Sequence, residues 1–319
     1  MTNDWKIFQG LTPEGENPEP HDGVQYRLPP PPPWRSRAGA AKATLPHRDS
    51  AFFAAEAGRA APFLPTREMI LAVNTALYLR RPLLLTGKPG TGKSTLIAKV
   101  AHELKLGPVL RWSITSRSTV RAGIYEYDAV GRLQASAPGE PAPPVSQYLT
   151  LGPLGTGLTA RDWPRPLLID EIDKSDLDFA NDLLNIIEDG TYDIPELRRL
   201  GSGPATVRDS RGEDVTIVNG QITCEQFPFV VMTSNAEREF PPPFLRRCVR
   251  LTIQPPDDKE LGKIVASHLH QYLTGAEQAE VDKLVNQFFT DSRTQELATD
   301  QLLNAVFLTI GMNDGRAHV

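Results

Sequence analysis

The sequence predicts a doubly wound α/β domain followed by a smaller all-helical one. Three observations predict it. Five short strand-like segments alternate with helical periodicity, a glycine loop separates the first segment from the next helix, and beyond Pro255-Pro256 the pattern turns wholly helical. From Thr66 to Leu79, apolar residues at Met69, Ile70, Val73, Ala76 and Leu77 form a helical stripe, and Arg80-Arg81-Pro82 ends it. Leu83-Leu84-Leu85-Thr86 is a short run of the kind buried in parallel sheets. Residues 87–92 are a glycine loop and residues 93–104 a helix. Residues 109–115, 167–170, 229–234 and 249–253 read as the other four strands, making a parallel five-stranded sheet. Helical segments are expected near 257–273, 277–290 and 298–310.

Two stretches interrupt the rhythm and read as insertions. Residues 117–165 are rich in Gly, Pro and Ser, and residues 190–228 contain Val215 to Val218, Asn219-Gly220 and Gln221 to Cys224. The second is a small β-hairpin with a type I′ turn signature, whose tip is expected to project. Eleven of the 29 prolines fall in the first 65 residues, and the run Pro29 to Pro33 dictates polyproline II. Such an arm either docks in an aromatic groove of a partner or lies across its own domain, anchored by Trp5, Phe8 and Trp34; the second reading is favoured. Order is expected to begin near Phe63. The chain therefore divides into a Pro-rich arm (1–62), an α/β domain (63–256) and a helical lid (257–319).

Composition excludes several classes. Hydrophobic residues make up 40% and charged residues 23%, as in a soluble globular chain. No apolar run approaches the roughly 20 residues of a membrane span, and the first residues lack the pattern of a secretory signal. Two cysteines, Cys224 and Cys248, make no disulfide framework or metal pair. A net charge of -5 gives no global attraction to nucleic acid. A cytoplasmic protein is expected.

The chemistry begins at Gly87-Lys88-Pro89-Gly90-Thr91-Gly92-Lys93-Ser94, after a strand and before a helix. Glycines let backbone N–H groups wrap a polyphosphate, and the helix N-terminus adds its positive end. Lys93 can reach the β- and γ-phosphates, and the Ser94 hydroxyl can bind Mg²⁺. Asp170, ending an apolar strand, can hold the metal shell, and Glu171 can polarise an attacking water. Asn235, at the tip of Thr233-Ser234-Asn235, either orients that water or serves as turn chemistry. Arg246 and Arg247 can neutralise a phosphoryl group in a neighbouring subunit, or form a surface salt-bridge pair. Ser175 to Asp178 matches a capping box, with Gly190 at the helix end, so Asp176 and Asp178 read as structural; Asp173 and Lys174 receive no role. His268 and His270 lie on different helix faces, so Mg²⁺ is the one metal expected.

Taken in order, these motifs resemble an AAA+ ATPase, a P-loop NTPase, over residues 63–319, and within that group the MoxR branch. Residues Leu183 to Pro195 are similar to that branch's helix and hairpin after Walker B, and the two insertions sit where it carries its own. The resemblance implies Walker A at Gly87 to Ser94, Walker B at Asp170-Glu171, sensor 1 at Asn235 and an arginine finger at Arg247 or Arg246. The doubled arginines are closer to McrB-type motors, and the expected sensor 2 arginine is replaced by Ala298-Thr299-Asp300-Gln301. It further implies a hexamer that hydrolyses ATP and, in a chaperone-like way, remodels a separately encoded protein partner. A nucleic-acid-dependent motor and an ATP-gated assembly switch are the alternatives.

Overall fold

Five parallel strands form the central sheet of the computed structural model, which describes residues 5–12, 16–35, 48–135, 143–159, 162–256 and 258–269 with Leu302 and Asn304. They are β1 (Leu83–Thr86), β2 (Leu110–Ser113), β3 (Pro166–Asp170), β4 (Phe229–Ser234) and β5 (Val249–Thr252), in the order β5-β1-β4-β3-β2. Successive side chains of a strand face opposite sides, and in β1, β3 and β4 both sides are buried. Leu83, Leu85, Leu168 and Val231 pack into one core, against α1 (Arg67–Leu79) and α2 (Lys93–Glu103). Leu84, Leu167, Ile169 and Met232 pack into the other, against α3 (Leu177–Asp189). That double burial is why β1, β3 and β4 read as nearly unbroken apolar runs, whereas β2 and β5, less buried, carry Arg111 and Arg250.

The helices begin and end for local reasons. The Thr66 side chain accepts the Met69 N–H at the start of α1, and Arg80, at φ 50°, ends it in the left-handed region. For α3 the cap is Asp176, whose Oδ1 accepts the Phe179 N–H at 2.6 Å. Ser175 does not cap, because its hydroxyl donates to the Ile172 carbonyl instead. Gly190, at φ 62°, ends α3 as expected.

The two insertions are one structure. A second, six-stranded sheet runs Tyr125–Tyr127, Leu149–Leu151, Pro204–Arg208, Asp214–Val218, Gln221–Thr223 and Thr191–Asp193, and Thr150 pairs with Arg208 across the insertions. Asn219 (φ 55°) and Gly220 (φ 63°) make the anticipated turn. Its tip does not project. The Asn219 Oδ1 accepts the Gly203 N–H, and a Cβ on Gly220 would lie 2.5 Å from the Arg198 nitrogen. The turn is docked, and glycine is what lets it dock.

Order also begins earlier than Phe63. Ile7, Phe8, Val24 and Leu28 join the core under α1 and α2. Trp5 packs edge-on against Tyr78, whereas Trp34 is 77% exposed and anchors nothing hydrophobic. A short helix, α4 (Pro242–Leu245), precedes β5, and α5 (Asp258–Leu269) follows it and opens the helical part. The helices expected near 277–290 and 298–310, with Ala298 to Gln301, fall outside the described residues. Among the described residues no helix is long and apolar enough to cross a membrane.

Because Phe8 is fully buried, Phe8→Ala should destabilise the chain by about 3–5 kcal/mol. Chemical denaturation checks this, and an unchanged midpoint would show that the N-terminal segment is peripheral.

Candidate functional site

Register brings three strand ends together. Thr86 pairs with Ser234 and Ile169 with Met232, so the C-terminal ends of β1, β4 and β3 form one edge. The loop of Gly87, Lys88, Pro89, Gly90, Thr91 and Gly92 leaves β1 at that edge and enters α2 at Lys93. Its glycines are needed by geometry. Gly90 and Gly92 have φ of 75° and 80°, and a Cβ on Gly87, at φ 152°, would lie 2.4 Å from the Ile253 carbonyl oxygen. The Thr91 hydroxyl ties the loop to itself by donating to the Lys88 carbonyl at 2.9 Å.

Lys93 is only 7% exposed. Its ammonium donates to the carbonyls of Gly87 (2.6 Å) and Lys88 (2.7 Å) and to Asn235 Oδ1 (2.9 Å). Burial pushes its pKa below the ordinary lysine value, against the opposing pull of Asp170, Asp173 and Glu171. The Ser94 hydroxyl donates to Asp170 Oδ1 at 2.9 Å, and the Thr233 hydroxyl donates to the same oxygen. Phosphate loop, acidic strand end and polar strand tip thus meet through side-chain hydrogen bonds.

Glu171 leaves β3 at φ 59°, a conformation uncommon outside glycine. Its backbone N–H goes to Thr233 Oγ1 at 2.9 Å and its carboxylate accepts Lys174 Nζ at 2.6 Å, a bond that holds the Lys174 pKa above its ordinary value. Asp173 is 4% exposed, and its Oδ2 accepts the backbone N–H groups of Asn235 (3.0 Å) and Glu237 (3.2 Å). That clamp fixes the turn through Ala236 (φ 61°) and so aims Asn235 at Lys93. Sequence reasoning gave Thr233, Asp173 and Lys174 no role. The available signal was their adjacency to Asn235 and to the acid pair.

A cavity of about 1000 Å³ opens beside the loop, lined by Pro89 to Thr95, Asp170, Glu171, Thr233 and Asn235 among others. Ser94 and Asp170 offer hard oxygen donors 2.9 Å apart, which fits Mg²⁺ completed by water and phosphate. Arg246 and Arg247 do not line this cavity. Arg247 is held by α3, donating to Asn185 Oδ1 (3.0 Å) and pairing with Glu188 (3.3 Å); Arg246 is exposed.

Residues 82–248, more than half of the chain, match the model of the AAA domain (dynein-related subfamily). Among solved structures, a chain of the "S. cerevisiae Hsp104-ADP complex" is similar at 18% identity and a TM-score of 0.40. The match covers 83% of this chain and 50% of that one, so this chain spans about half the length of that relative. No curated protein matches the chain.

Asp173→Ala leaves two backbone N–H groups without their acceptor and should cost about 1–3 kcal/mol of stability. Asp173→Asn keeps one carbonyl acceptor and should cost less. Equal melting temperatures for all three proteins would show that the clamp is not formed.

Proposed function

This chain belongs to the AAA domain family, in its dynein-related subfamily, with the AAA+ P-loop NTPase fold, and we propose that it is a Mg²⁺-dependent ATPase. The reading rests on one observation above all. Lys93, Ser94, Asp170 and Asn235 converge at one edge of the sheet, each joined to another by a hydrogen bond. In this reading the backbone of Gly87, Lys88, Pro89, Gly90, Thr91 and Gly92 wraps the polyphosphate. Lys93 exchanges its loop carbonyls for phosphate oxygens, which are better partners for an ammonium. Ser94 and Asp170 hold Mg²⁺, which when bound neutralises phosphate charge.

Glu171 accepts the proton of the attacking water as the bond to the departing ADP breaks, giving ADP and phosphate. The Asn235 amide orients that water once Lys93 has turned to the nucleotide. Of the two arginines, one acts across a subunit boundary. Arg246, exposed, is the arginine we assign as the finger, and Arg247, tied to Glu188 and Asn185, holds the segment in place. Such a head-to-tail contact is heterologous and either closes a ring or propagates a helix; we propose the ring, a hexamer.

Within the family we place the chain on the MoxR branch, with a McrB-like arginine segment, as a motor that remodels a protein partner. The support is residues 183–195, the two insertions and the doubled arginines. The net charge of -5 favours a protein target over nucleic acid, and Cys224 and Cys248, buried as thiols with no disulfide between them, favour the cytoplasm. We also propose the division into arm (1–62), nucleotide domain (63–256) and lid (257–319), amended so that Ile7, Phe8, Val24 and Leu28 pack as part of the domain's core.

Glu171→Gln keeps the shape of the site and removes the proton acceptor. Turnover should fall by about 10²-fold or more while Mg·ATP binding persists, measured by phosphate release and calorimetry. Turnover near the wild-type rate would show that Glu171 is not the base.

A further inference from the structure

The two ends of the central sheet carry side chains of opposite charge. Its C-terminal ends hold Asp170, Glu171 and Asp173, and the turn after Asn235 adds Glu237 and Glu239, both exposed. Arg238, between those two, donates to the Ser175 carbonyl at 2.7 Å, and Lys174 is taken up by Glu171. The N-terminal ends carry arginines. Arg81, just before β1, donates to the Arg246 carbonyl at 3.3 Å, and Arg246 and Arg247 lead into β5, whose Val249 N–H reaches the Pro82 carbonyl at 2.9 Å.

The proline run is fastened across that arginine end. Arg80, 6% exposed at the end of α1, donates to the Pro29 carbonyl at 2.6 Å. Beyond the prolines, Arg35 pairs with one oxygen of Glu188 at 2.9 Å. It also lies over the ring of Phe227, 5.9 Å from the centroid, just before β4. The other oxygen of Glu188 takes Arg247. Both ends of the run are therefore tied down, and the fixed φ of proline keeps the span between them stiff. Trp34 stands between the last proline and Arg35, and it is 77% exposed. An indole is among the largest surfaces a side chain brings to an interface, and holding one in water adds nothing to the stability of the chain alone.

We propose that Trp34 is an assembly anchor: in a head-to-tail contact it is buried against the nucleotide edge of a second copy of this chain, beside Arg246. Charge complementarity selects that occupant. A head-to-tail contact sets the arginine end of one copy against the acid edge of the next, where Glu237 and Glu239 are exposed. The attraction that brings Arg246 to the neighbour's site brings Trp34 with it, because Glu188 holds Arg35 and Arg247 in one fixed relation. Tryptophan and arginine are also the residue types that most often dominate the affinity of an interface. The proposal rests on the head-to-tail reading and deepens it, giving the proline run a role at the subunit boundary.

The test uses the full chain carrying Glu171→Gln, so that Mg·ATP is not consumed. It is followed by sedimentation velocity and by acrylamide quenching of tryptophan emission. This parent chain should assemble with Mg·ATP. Subtracting the emission of the Trp34→Phe variant isolates Trp34, whose emission should move to the blue and lose access to acrylamide in the oligomer. Trp34→Ala should raise the concentration for half-assembly by about tenfold or more at an unchanged melting temperature, and Trp34→Phe by a smaller factor. Glu237→Gln together with Glu239→Gln should raise it as well. An unchanged half-assembly concentration in Trp34→Ala would overturn the proposal and leave the ring standing. So would a Trp34 equally open to acrylamide in monomer and oligomer, which would leave the indole to a different protein. Unchanged assembly of the glutamine pair would overturn the choice of the acid edge. A parent chain that stays monomeric with Mg·ATP would overturn the head-to-tail reading itself and the anchor with it.

Discussion

The site depends on one buried ammonium. Lys93 carries its charge into a place that is 7% exposed, where water is replaced by Gly87 O, Lys88 O and Asn235 Oδ1. Removing an ammonium from water costs several kcal/mol unless polar groups re-solvate it. The loop must therefore turn two carbonyls inward, which it does through left-handed backbone at Gly90 and Gly92. Asn235 must also stand at the tip of β4, and β4 must lie beside β1. The sheet order and the Thr86–Ser234 register are thus conditions for a tolerable Lys93. The partners that satisfy it are neutral, so an anion that reaches them is favoured over all three. That is the physical basis for a polyphosphate site.

The same edge joins the rest of the site in sequence. Asp170 is bound by Ser94 from the loop's helix and by Thr233 from β4, so the acid is held from both sides. Thr233 also accepts the Glu171 N–H, and Asp173 clamps the backbone of Asn235. The acid pair and the Asn235 tip therefore position one another through backbone donors. At the far side of the domain, Glu188 pairs with both Arg35 and Arg247. A single carboxylate thereby ties the turn after the proline run to the arginine segment.

β1, β3, β4, α1, α2 and the phosphate loop were legible because each has a local signature: a nearly unbroken apolar run, a 3.6-residue stripe or fixed glycines. β2 and β5, which carry Arg111 and Arg250, were legible from the alternation of strand and helix. The meeting of Lys93, Asp170 and Asn235 was legible from the ends of those strands. The six-stranded sheet was not, because the Thr150–Arg208 pairing joins two insertions and leaves no periodic trace. Nor was the packing of Ile7 and Phe8, whose backbone N–H groups are held by Asn74 on α1, while Glu103 on α2 holds those of Gln9 and Gly10. The Asn219-Gly220 turn was recognised, but its docking against Arg198 and Gly203 depends on contacts a turn signature does not contain.

The central claim is that Lys93 gives up its loop carbonyls and Asn235 for phosphate when nucleotide arrives. The most direct test is an experimental structure of the full-length Glu171→Gln variant with Mg·ATP. The account predicts Lys93 Nζ on phosphate oxygens, Ser94 and Asp170 at the metal, and Arg246 of a neighbouring copy facing the same nucleotide. A bound nucleotide with Lys93 still on Gly87, Lys88 and Asn235 would contradict it.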